Sequence, residues 1–64
     1  MAESLSETER AIFGLLRVDE PVHIDAILDA LPQLSPSEVL ATLLELEFKN
    51  LVRQLPGKNF VKTF

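Results

Sequence analysis

The chain has 64 residues and a formal charge of −4, enough for one domain and no more. A domain of this size buries only about 60% of its unfolded surface and depends on a well-filled core; the apolar fraction of 47% can supply one. The absence of cysteine excludes a disulfide framework, a thiolate metal site and a cysteine nucleophile, and the acidic balance argues against nucleic-acid binding by bulk charge.

No apolar run approaches the roughly 18 residues of a membrane span, and the opening MAESLSETER is polar and acidic, unlike a signal peptide. The expected setting is intracellular, with no membrane partner. Charge is unevenly distributed. Residues 1–48 hold all ten acids against Arg10 and Arg17, a net −8, whereas residues 49–64 hold Lys49, Arg53, Lys58 and Lys62 with no acid, a net +4. That asymmetry points to an anionic partner. The plainer reading is that four cations on a hairpin are ordinary solubility charges of edge strands.

In chain order, Ser6 with Glu9 forms a capping-box signature and opens a helix over about residues 6–17. Ser4 with Glu7 offers an alternative start. Ile12, Phe13 and Leu16 share a face of this helix, and Gly14 weakens it by up to ~1 kcal/mol relative to alanine. Pro21 interrupts the chain, and Val22-His23 forms a very short strand. Ile24, Ile27, Leu28 and Leu31 fall at i, i+3, i+4 and i+7, a second helix over 24–31 ended by Pro32. Leu34, in the turn that follows, plugs the corner.

Ser35, Pro36 and Glu38 open the third helix, 36–50, with a capping box and a proline at its first position. Val39, Leu40, Leu43, Leu44, Leu46, Phe48 and Leu51 cover a broad apolar arc of it. Glu38, Ala41, Thr42, Glu45 and Lys49 cover the opposite side, and Glu47, inside the apolar arc, either snorkels out or pairs with a cation such as Arg53. Residues 51–55 and 59–63 read as a hairpin around a Pro56-Gly57 type II turn. Phe60 or Val61 anchors it inward, and Phe64 frays at the end. The hairpin packs on the helices or pairs with Val22-His23. The fold class is therefore α+β: a single winged helix-turn-helix domain over 1–64, with a three-helix core, a C-terminal β-hairpin wing and a very short first strand.

The residues offer no catalytic constellation, no cofactor loop and no metal site, and no small-molecule substrate is expected. His23 stands alone and reads as a hydrogen-bonded structural histidine, with Asp25 pointing elsewhere. Ser4, Ser6, Ser35 and Ser37 are accounted for as helix caps. In helix-turn-helix proteins the exposed side of the last core helix enters the major groove. Here that side presents Ser37, Glu38, Ala41, Thr42, Glu45 and Lys49, two carboxylates with no Arg, Asn or Gln to read a base edge. The wing is better suited: Arg53, Lys58 and Lys62, with Lys49 nearby, would contact three or four phosphates in weak, salt-sensitive DNA binding, duplex or single-stranded. The alternative is protein docking, in which Glu38 and Glu45 suit a basic patch on another protein.

The strings EPVHID (20–25), Leu34-Ser35 with Glu38-Val39, LLELE (43–47) and LVRQLPG (51–57) occur in this order and spacing, and over residues 5–62 the chain resembles the C-terminal winged-helix domain of the DNA-processing protein family DprA, also called Smf. The resemblance implies a bacterial, cytoplasmic protein of natural transformation, whose full-length form binds incoming single-stranded DNA and helps load a RecA-type recombinase. In that family the single-strand site lies on a Rossmann-like domain, so this chain would be the accessory module, in contact with duplex DNA or docked on a protein such as a competence partner or the parent protein's own core.

Overall fold

The protein is described by a computed structural model covering residues 5–64. Ser6 caps the first helix, α1 (Glu7–Phe13): its hydroxyl accepts from the Glu9 amide at 3.1 Å, and the Glu9 carboxylate accepts from the Ser6 amide at 2.8 Å. The alternative cap at Ser4 lies outside the described residues. The helix ends at Phe13, not at residue 17. Gly14 is a poor helix former, and beyond it the chain tightens to i→i+3 bonds, Leu15 N–H to Ile12 O and Leu16 N–H to Phe13 O. The tighter turn still delivers Leu16 to the core.

Strand β1 (Val22–His23) runs into α2 (Ile24–Ala30), whose N-cap is His23: Nδ1 accepts from the Asp25 amide at 3.0 Å. The Asp25 carboxylate lies 3.7 Å from the same nitrogen, so it does not point elsewhere. The helix stops one residue short of the expected 24–31, because Leu31 precedes a proline and adopts φ −128°, ψ 64° outside the α region.

A second capping box, Ser35 with Glu38, starts α3 (Pro36–Phe48). This helix ends before Asn50, which takes the left-handed conformation at φ 63°. Asn50 N–H donates to Glu47 O and Leu51 N–H to Leu46 O, the two bonds of a Schellman motif, in which asparagine tolerates the C′ position better than most residues.

The hairpin strands β2 (Val52–Leu55) and β3 (Asn59–Lys62), each shorter at its outer end than 51–55 and 59–63, join β1 in an antiparallel sheet of order β1-β3-β2. The turn carries two positive φ angles, Gly57 at 84° and Lys58 at 63°, and the Asn59 amide group donates to Pro56 O. Ile24 N–H donates to Lys58 O, which ties the wing turn to the start of α2. Five side chains are almost wholly buried, Ile12, Ile27, Val39, Leu43 and Leu46, and Phe60 closes the core from the sheet. Leu34 is half-buried against this core. The Phe64 ring, beyond the end of β3 and largely exposed, lies 5.8 Å from the Phe13 ring between centroids. Element order, sheet topology and a shared core are those of a winged helix-turn-helix domain.

Candidate interaction surfaces on the third helix and the hairpin

The buried face of α3 is narrower than the apolar pattern suggests. Val39, Thr42, Leu43 and Leu46 face the core, at i, i+3, i+4 and i+7. Thr42, expected on the solvent side, is instead buried, and its hydroxyl donates to Glu38 O at 2.7 Å, one turn back. Leu40 and Leu44 are each 53% exposed and Phe48 is 79% exposed, although the sequence places them in the core arc. They follow one another at i, i+4 and i+8 and so form a ridge along the outward face. Glu45 is exposed beside Phe48 on one flank of that ridge, and Glu47, half-buried, lies beside Leu44 on the other; Glu38 is exposed about 160° round the helix from Leu40, next to Thr42. Among the described residues Glu47 has no ion pair; the pairing with Arg53 is not made, and the carboxylate reaches solvent from the ridge's edge.

Lys49, at the end of α3, is turned toward α1. Its ammonium donates to Glu9 Oε2 at 2.9 Å. The Glu9 side chain is 5% exposed and the Lys49 side chain 41% exposed. The Lys49 hydrogen bond first, and the Ser6 amide second, hold the Glu9 carboxyl below its ordinary value, and burial opposes them. Glu9 therefore has two duties: one oxygen completes the α1 cap, the other joins α1 to α3. The partners are 40 residues apart, and no local pattern announces the pair.

The hairpin cations do not share one surface. In the antiparallel register Arg53 stands opposite Val61 and Lys62 opposite Val52. Opposed residues share a face and neighbours along a strand alternate, so Arg53 and Lys62 lie on opposite faces of the sheet. Lys62 is on the side of buried Val52 and Phe60, with its ammonium 4.7 Å from the Phe13 ring centroid, a cation–π contact. Lys58 is exposed at the turn and Arg53 on the outer sheet face; neither has an ion pair among the described residues. Arg17, by contrast, lies 3.5 Å from Glu20 and 3.8 Å from Asp19.

A groove of about 430 Å³ separates the start of α1 from the end of α3 and is lined by Ser6, Glu9, Glu45, Phe48 and Lys49. It adjoins the α3 ridge through Phe48 and Glu45. Among the described residues no group of three histidine, cysteine or acidic side chains is placed to hold a metal, and no helix is long and apolar enough to cross a membrane. What this arrangement offers is a contact surface: apolar and acid-edged on α3, cationic but divided on the hairpin. The ridge was visible as a spacing. It was hidden as a surface because α3 has more apolar residues than one face can bury.

A family model described as the DprA winged helix domain matches residues 1–58. No curated protein and no solved structure matches the chain.

Proposed function

The chain belongs to the DprA winged-helix domain family, and on that premise we propose that it is a non-catalytic accessory module that docks a protein partner through the outward face of α3. The observation that carries this reading is the ridge of Leu40, Leu44 and Phe48, in the position from which a recognition helix would address base edges. Isobutyl and phenyl groups offer a base edge no hydrogen bond, and the exposed carboxylates of this helix, Glu38 and Glu45, repel phosphate. An exposed apolar stripe with a charged edge is the composition of a protein contact. In a DNA-processing protein the partner would be a competence or recombination protein, a RecA-type recombinase included, or another part of the parent protein.

An amide-shift titration with short duplex and single-stranded DNA at low salt tests it. The α3 amides from Ser37 to Phe48 are expected to stay in place. Salt-sensitive shifts concentrated on those amides would refute the docking reading.

A second reading is weak contact with the DNA backbone through the wing, supported by the exposure of Arg53 and Lys58 without ion pairs among the described residues. Lys49 and Lys62 would join them only by leaving Glu9 and the Phe13 ring. The two readings use different surfaces, and the same titration separates them.

A further inference from the structure

We infer that the α3 ridge receives a cationic amphipathic helix of another protein: its apolar stripe would lie along Leu40, Leu44 and Phe48, and lysine or arginine side chains beside that stripe would meet Glu45 and Glu47. The inference rests on the docking reading and gives its partner a chemistry.

Three observations lead to it. The ridge is built from i, i+4 and i+8 positions and extends over about 12 Å of helix axis, so it is an i±4n ridge of the kind that packs into the groove of a second helix. The charges edging it are all of one sign. Glu45 stands beside Phe48 on one side and Glu47 beside Leu44 on the other, while Lys49, the one cation of this stretch, is held by Glu9. At the Phe48 end the ridge opens into the groove lined by Ser6, Glu9, Glu45 and Lys49. Within that groove Glu9 is already bonded to Ser6 and Lys49, whereas Glu45 has no ion pair among the described residues. A cation entering beside Phe48 therefore meets one uncompensated carboxylate, and its methylene stem can lie on the phenyl ring.

The same charges select against the other occupants. A second copy related by a two-fold axis would set this face against itself, one acid-edged ridge against another. Nucleic acid would meet the same acids with its phosphates.

The test uses two synthetic helical peptides with identical leucine stripes at i, i+4 and i+8, one flanked by lysine and arginine and the other by glutamate. The full chain is titrated with each and, separately, with duplex DNA, and amide shifts are followed. The basic peptide is expected to move amides from Leu40 to Lys49, and the acidic one to bind at least tenfold more weakly. Glu45→Lys with Glu47→Lys should invert that preference, and Phe48→Ser should weaken the basic peptide at least fivefold with an unchanged melting temperature, since Phe48 touches solvent more than core. Equal binding of both peptides overturns the cationic partner and leaves the docking reading standing. No shift with the basic peptide also overturns the inference. If DNA moves the α3 amides instead, the docking reading falls with it. Concentration-dependent shifts of the same amides without peptide would assign the face to a second copy and refute the inference.

Discussion

On α3 the outward side chains stand close together but are apolar and acidic; on the hairpin the side chains are cationic but stand apart. The difference comes from backbone geometry. A helix keeps residues four apart on one line, so Leu40, Leu44 and Phe48 cannot avoid forming a continuous ridge. A strand turns successive side chains to opposite faces, so the register that pairs Arg53 with Val61 necessarily sends Lys62 to the core side, over Phe13. The local net charge of residues 49–64 is therefore a poor guide to local potential. Four cations close in sequence reduce to two, Arg53 and Lys58, that are exposed and without ion pairs among the described residues.

The contrast between the two sides of α3 can be tested most severely on its buried side. Leu46→Ala, on the wholly buried side, is expected to destabilise the domain by about 2–5 kcal/mol in denaturant unfolding. A loss below ~1 kcal/mol would mean that the inner face has been assigned incorrectly.

Next in size is the seam that keeps Lys49 from the wing. Glu9→Gln should lower stability at neutral pH by about 1–2 kcal/mol, held to the low end because Lys49 is partly exposed. Folding lowers the Glu9 carboxyl below its ordinary 4.5, so the ionised form is the one the native state favours. Its contribution is complete above the unfolded value and fades as pH falls through the lower native value. The wild-type and Glu9→Gln stability curves should accordingly converge in acid and separate as pH rises. Parallel curves from acid to neutrality would show that the pair contributes nothing.

The hairpin makes a claim about slope. If duplex DNA binds the wing through Arg53 and Lys58 alone, log K should fall against log salt with a slope near −1.8, at about 0.9 per phosphate contact. Engagement of all four cations would give about −3.6 on the same basis. Replacing Arg53 and Lys58 together by glutamate should abolish the binding. A steep slope that survives that replacement would return Lys49 and Lys62 to the interface.

The smallest expected effect is the counterpart of the largest. Leu44→Ala, at the middle of the outward ridge, should change stability by no more than about 0.5 kcal/mol. A loss comparable to that of Leu46→Ala would put Leu44 in the core and remove the ridge.

Much of the architecture was legible in the residues because it depends on partners only a few positions away. Two capping boxes, Ser6 with Glu9 and Ser35 with Glu38, mark helix starts through bonds spanning three residues. Pro21 and Pro32 separate the elements, and Pro56-Gly57 turns the hairpin. The helix ends were less legible. Gly14 and Asn50 act through how the chain leaves the helix, and the i+3 bonds after Gly14 and the left-handed turn at Asn50 shorten α1 and α3 relative to their apolar patterns. The outward ridge of α3 was the least legible part. Periodicity shows that α3 is rich in leucine, but it cannot say which leucines will have neighbours.

What the sequence by itself determined is therefore the order and type of the elements, the capping boxes that begin α1 and α3, and the family they belong to. All of these are carried by short-range bonds or by matched strings of residues. Only the tertiary structure decided that Val39, Leu43 and Leu46 turn inward while Leu40, Leu44 and Phe48 remain outside, that Lys49 closes on Glu9, and that Lys62 lies over Phe13. The physical reason is common to all three. Burial and pairing depend on where α1 and the sheet stand beside α3, and those positions are set by packing between segments distant in the chain.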